Sequence, residues 1–121
     1  MRIAIIGASS NRAKYGNKAV RSYVSQGNEV FPINPTETEI EGLKAYSSIL
    51  DVPGSIDRVA LYVPPKVGVT LLEDIAAKGV KEVFVNPGAE SDELFAKGTE
   101  LNLVLVYACA IVEIGDSPSQ Y

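Results

Sequence analysis

Ile3-Ala4-Ile5-Ile6-Gly7-Ala8-Ser9-Ser10-Asn11-Arg12-Ala13-Lys14-Tyr15-Gly16 runs from an apolar stretch, through a small, polar and basic loop, towards a helix. Ile3 to Ile6 has the continuous β-branched character of a strand buried on both faces of a parallel sheet. Gly7 permits a tight exit because it has no Cβ. Ser9 or Ser10 offers a hydroxyl and backbone N–H groups, and a helix beginning near Ala13 turns its unpaired N–H groups back towards the loop. An anion, phosphate above all, suits such a loop.

Charge is distributed to match. Met1 to Asn28 holds Arg2, Arg12, Lys14, Lys18 and Arg21 and no acid, whereas the whole chain has 11 basic and 15 acidic residues, net −4. The basic surplus is therefore local to the loop. Arg12 and Lys14, at the loop and the first helical turn, are candidate phosphate contacts. Lys14, Lys18 and Arg21 also fall on one helical face, which makes Lys18 and Arg21 more simply its solvated side.

The totals bound the remaining choices. A chain of 121 residues with 46% apolar content predicts one folded domain over 1–121. Its acidic balance, pI near 4.8, disfavours nucleic acid and favours a small, highly charged anion. The single cysteine, Cys109, forms no internal disulfide and fits a reducing compartment; with no signal peptide and no membrane-length apolar run, a cytoplasmic protein is expected. Histidine is absent, which removes Ser-His-Asp and Cys-His catalysis, phosphohistidine chemistry and most zinc sites. We expect no metal site and no catalytic residue.

Downstream, apolar runs alternate with helical patterns. After the first helix, closed by Gly27-Asn28, come strand Val30–Ile33, a short edge strand over Leu43–Tyr46, and a short helix over Ser47–Val52 with Ser47 as cap. Val59–Val63 and Glu82–Val85 read as buried strands. The helix between them buries Val67, Leu71, Leu72, Ile75 and Ala76, and a further helix leads to Leu103–Tyr107, the last core strand. Pro32 gives the second strand an irregular or free side. Glu37, Glu39 and Glu41 read as solvent-facing.

This alternation implies an α/β fold: a Rossmann-like, doubly wound parallel sheet of about five strands with helices on both faces. Ligands of such sheets lie at the carboxyl ends of the strands. Those exits read Gly7-Ala8-Ser9-Ser10, Asn34-Pro35-Thr36, Val63-Pro64-Pro65 and Asn86-Pro87-Gly88, and all should line one crevice. Their prolines offer stiff apolar surface without a backbone donor, suited to a flat adenine ring or a pantetheine arm. The loop is neither a Gly-x-Gly-x-x-Gly fingerprint, with Ser9 and Arg12 at the second and third glycine positions, nor a P-loop. No acid follows the second strand directly to hold the ribose of NAD.

Gly7-Ala8-Ser9 with Lys14-Tyr15-Gly16, Val30-Phe31-Pro32-Ile33-Asn34-Pro35, Gly42 to Ile49, Asp57, Val63-Pro64-Pro65 and Pro87-Gly88-Ala89-Glu90-Ser91 resemble, in order and type, the stand-alone CoA-binding protein family. That family is related to the N-terminal domain of the succinyl-CoA synthetase α subunit. The resemblance implies coenzyme A or an acyl-CoA in the crevice, with phosphates on Gly7 to Ser10 and near Lys14 to Gly16. It places adenine by Val63-Pro64-Pro65 and pantetheine by Asn86-Pro87-Gly88. The related synthetase domain usually carries a lysine after the proline of the second exit, where this chain has Thr36, and close relatives often read Cys-Pro near the last strand, where this chain has Cys109-Ala110. Cys109 reads first as a small buried residue and second as a thiol near the pantetheine end, open to a mixed disulfide.

The expected function is a binding module without catalysis of its own, in a homo-oligomer or beside a partner enzyme subunit. An NAD(P)- or other nucleotide-binding sensor, and the CoA-binding part of a split acyl-CoA ligase, are the alternatives.

Overall fold

A computed structural model describes residues 1–121. Strands β1 (Arg2–Ile6), β2 (Glu29–Ile33), β5 (Arg58–Leu61), β6 (Glu82–Val85) and β7 (Val104–Tyr107) form one five-stranded sheet. A separate two-stranded hairpin joins β3 (Glu39–Ile40) to β4 (Leu43–Lys44). Every pairing in the large sheet is parallel, and the spatial order is β2-β1-β5-β6-β7. From β1 the chain steps one way to β2, then crosses back past β1 to β5 and onward to β6 and β7. The switch point, where a ligand crevice opens, thus lies between the carboxyl ends of β1 and β5.

Side chains alternate between two cores, as the pleat requires. Ala4, Ile6, Val59, Leu61, Val83 and Val85 pack with Leu72, Ile75 and Leu94 of helices α2 (Pro65–Ala77) and α3 (Asp92–Glu100). Ile3, Ile5, Ala60 and Phe84 pack on the opposite face, with Ala19, Val20 and Tyr23 of α1 (Tyr15–Ser25) and Ile111 of α4 (Ala110–Glu113). Helices cover both faces, as the sequence predicts for this fold class.

Several local expectations are corrected. α1 begins at Tyr15 rather than Ala13, because Asn11 and Lys14 first form a turn of their own, with Lys14 N–H donating to Asn11 O at 3.0 Å. The expected edge strand shrinks to β4, while Tyr46 bridges Ile33 in parallel instead. Tyr46 N–H donates to Pro32 O at 2.9 Å on the outer side of β2, so the missing Pro32 N–H faces the sheet edge rather than the β1 ladder. The short helix is a single 3₁₀ turn, Ile49–Asp51, capped by Ser48 rather than Ser47. β7 is not a core strand but the outer strand of the sheet, with Val104 and Tyr107 exposed. Val67, expected in the core, is likewise exposed, in the first turn of α2.

Candidate functional site

The β1–α1 loop departs at Gly7, whose φ of +91° is available to glycine at no steric cost. A Cβ there would stand 2.6 Å from Tyr62 O, and one on Gly16 would stand 2.2 Å from Gly7 O. The two glycines therefore let the helix start and the β5 exit close onto the strand end. Gly16 performs the close-packing duty of the last glycine in a dinucleotide fingerprint, on a longer loop. Sequence spacing alone did not reveal it.

At the tip of the loop, polar groups are engaged within the protein. Ser9 Oγ accepts from Asn11 N–H at 3.0 Å, Asn11 Oδ1 accepts from Ala13 N–H at 3.0 Å, and Ser10 N–H donates to Glu37 Oε2 at 3.1 Å. Arg12 pairs with Glu41 at 3.4 Å. Buried Asn17 donates to Ser9 O at 2.8 Å and to Glu41 at 3.1 Å, and accepts from Arg21 Nε at 2.7 Å. Arg21 also reaches Arg12 O at 2.9 Å, so it braces the loop instead of merely facing solvent. Lys18 lies over the Tyr15 ring, 5.1 Å from its centroid.

Glu37 is another correction to the solvent-facing reading. Hydrogen bonding from Ser10, side chain foremost and then amide, holds its carboxyl below the ordinary value, with nearby Lys14 adding to the shift. Glu37 also accepts from Asn34 Nδ2 at 3.2 Å. Asn34 is the clasp between two strand exits: its Nδ2 donates to Ala8 O at 2.9 Å, and its Oδ1 accepts from Thr36 and Glu37 amides, both at 2.9 Å.

The base of the loop is different. The amides of Ala8, Ser9, Tyr15 and Gly16 have no protein acceptor, and Lys14 has no carboxylate partner. A cavity of about 450 Å³ opens there, lined by Gly7, Lys14, Tyr15, Gly16, Tyr62, Val63, Pro64, Pro87, Gly88 and Ala89. A second, of about 370 Å³, shares Gly7, Val63 and Pro64 with it and extends over Ile6, Ile33, Pro35, Ser47, Ser48, Ile49, Val67, Leu71 and Asp74. A third, of about 340 Å³, shares Tyr15, Tyr62 and Pro87 and reaches Asn86, Cys109 and Pro118. Together they form one trough across the carboxyl ends of the sheet. Its centre suits an anion, one end is apolar, and the other holds a thiol.

Asn86 fixes the thiol end. It is buried, donates to Leu61 O at 2.9 Å and accepts from Ala110 N–H at 2.8 Å, anchoring α4 and with it Cys109, the residue that caps α4. Cys109 is half-buried on the cavity, not sealed in the core. Tyr62 OH is buried without a partner, and burial raises its pKa far above that of an ordinary phenol. It stays neutral there, a donor awaiting an acceptor.

Of the residues singled out from sequence, Gly7, Lys14, Tyr15, Gly16, Pro35, Val63, Pro64, Asn86, Pro87, Gly88 and Cys109 line the trough. Ala8, Ser9, Ser10, Arg12, Asn34 and Thr36 do not line it; they shape the loops behind it, and Pro65 opens α2 as its first residue. Ile6, Ile33, Ser47, Ser48, Ile49, Tyr62, Val67, Leu71, Asp74, Ala89 and Pro118 were missed as lining residues. For the three on α2, Val67, Leu71 and Asp74, the spacing i, i+4 and i+7 was the available signal.

Residues 1–115 match the family described as CoA binding domain. The chain belongs to that family. It is 38% identical over 84 residues to the α subunit of an ADP-forming acetate–CoA ligase II of Pyrococcus furiosus, covering 69% of this chain and 18% of the relative. It is 40% identical over 83 residues to an ADP-forming acetate–CoA ligase of Methanocaldococcus jannaschii, covering 69% of this chain and 12% of the relative. The chain thus spans less than a fifth of the length of these curated relatives. Among solved structures, a conserved hypothetical protein of Pyrococcus furiosus is 40% identical, with a TM-score of 0.88 over 93% of this chain and 97% of that one. A dinucleotide-forming acetyl-coenzyme A synthetase of Candidatus Korarchaeum cryptofilum, in complex with phosphate and ADP, is 31% identical, with a TM-score of 0.78 over 88% of this chain and 25% of that one. The Rossmann-like reading and the CoA-binding family expected from the motifs both stand.

Proposed function

We propose that residues 1–121 form a cytoplasmic module that holds CoA or an acyl-CoA along the trough and catalyses nothing alone. The observation that carries this reading is the order of the three adjoining cavities: apolar, cationic with free amides, then apolar with a thiol and a lone phenol. CoA has the same order of base, phosphates and thiol-ended arm. Lys14 and the amides of Tyr15 and Gly16 would hold the diphosphate by charge-assisted hydrogen bonds. Val63 and Pro64 would pack on the base, and Pro87, Tyr62 and Cys109 would flank the arm. Bound CoA would supply a nucleophilic thiol at the Cys109 end, where a partner ligase subunit must reach it.

An NAD-binding reading is less well supported. Glu37, the acid that follows β2, is engaged by Ser10 and Asn34 rather than free for ribose hydroxyls. Calorimetric titration with CoA, NAD and ATP tests the proposal. Micromolar or tighter binding of CoA alone is expected; NAD or ATP binding in its place would overturn it.

A further inference from the structure

The apolar cavity has one feature that packing does not explain. Ile6, Ile33, Ile49 and Leu71 form its walls, and Asp74 is the only charged side chain on it. Helix α2 carries Asp74 on the same face as Val67 and Leu71, at i+7 and i+3, so it looks across the apolar space. Asp74 is half-buried, yet its carboxylate accepts no hydrogen bond from the protein and joins no ion pair. Lys78, one turn further on, donates its ammonium to Val52 O instead. Ser47 donates to Asp51 at 3.2 Å, and Ser48 accepts from Leu50 N–H at 3.1 Å, which leaves the Ser48 hydroxyl proton free.

An ionised carboxylate is an acceptor only, and it is disfavoured beside apolar surface unless a donor meets it. We propose that Asp74 is the specificity residue for the base, accepting from the exocyclic amine of adenine while the isoleucines and prolines pack on the ring. This assignment rests on the CoA reading above. Adenine presents an amine donor at that edge, whereas purine without the amine presents only a C–H there. Without the amine the Asp74 carboxylate would face the base with no donor to meet it, so the site rejects such a ring by a lost bond and an unpaired charge.

The test compares CoA with its deamino purine analogue, in which the exocyclic amine alone is replaced by hydrogen, by calorimetry on the 121-residue chain. Wild type should bind the analogue about 10- to 100-fold more weakly, the range expected for one hydrogen bond to a charged group. Asp74→Ala should lose that ratio, chiefly by weakening CoA. Asp74→Asn, which keeps a carbonyl acceptor, should restore part of it. Thermal unfolding of both variants, expected near wild type because the side chain packs against nothing it bonds, separates lost recognition from lost fold. Equal binding of CoA and analogue by wild type, or an unchanged ratio in Asp74→Ala, would overturn the Asp74 assignment and leave the CoA module standing. Absence of CoA binding by wild type would overturn both.

Discussion

At the tip of the β1–α1 loop the amides of Ser10, Asn11 and Ala13 donate to protein acceptors and Arg12 pairs with Glu41, whereas at its base the amides of Ala8, Ser9, Tyr15 and Gly16 and the ammonium of Lys14 have no partner. Both stretches are small, polar and basic. The difference comes from what the fold brings up behind each. Glu37 and Glu41, delivered by the chain after β2, neutralise the tip, and nothing acidic pairs with Lys14 at the base. Local composition marks a candidate anion-binding loop; tertiary contacts decide which half of it is left open to a ligand.

The largest effect that would test this contrast is at the base. Gly16→Val should lower the free energy of unfolding by about 3 kcal/mol or more, because its Cβ would collide with a backbone carbonyl that cannot move without displacing β1. Urea denaturation measures it, and near-native stability would show that the close helix approach is not needed. Next, Lys14→Glu should weaken CoA binding by about 1–3 kcal/mol while leaving thermal unfolding almost unchanged. Arg12→Ala, at the tip, should change CoA affinity by less than about 0.5 kcal/mol, since the exposed Arg12 guanidinium pairs with Glu41 of the protein itself and lines no part of the trough. Equal losses for the two variants in calorimetry would erase the distinction between tip and base.

The smallest effect concerns pH. The folded-state pKa of Glu37 lies below its ordinary value of 4.5, so its contribution to stability is complete above that value and is lost as pH falls through the depressed one. The stability gap between wild type and Glu37→Gln should therefore narrow on acidification below about pH 4.5, followed by chemical denaturation across pH. A gap that is constant with pH would mean that the Ser10 contact does not depend on the carboxylate charge.

The strands were legible because a buried parallel strand is written locally, as in Ile3–Ile6 and Val83–Val85, and their exits followed from that. What stayed hidden depends on residues far apart in the chain. Glu37 meets Ser10, and Asn34 meets Ala8, only once β2 lies beside β1. Leu103–Tyr107 has the composition of a core strand, but composition does not say that no further strand covers it. Asp74 was concealed by the same helical periodicity that correctly buried Leu72 and Ile75, because the adjoining face of α2, Val67, Leu71 and Asp74, lines the trough instead of the sheet.

The central claim is that the ligand's phosphates rest on the base of the loop and not on its tip. Amide-resolved magnetic resonance of isotope-labelled protein, titrated with CoA, reads this directly. The account predicts large shifts for Gly7, Tyr15, Gly16 and Gly88, with Ser10, Asn11 and Ala13 nearly unmoved. Large shifts at Ser10 to Ala13 with Tyr15 and Gly16 unchanged would contradict it, and would mean that phosphate displaces Glu37 from the tip.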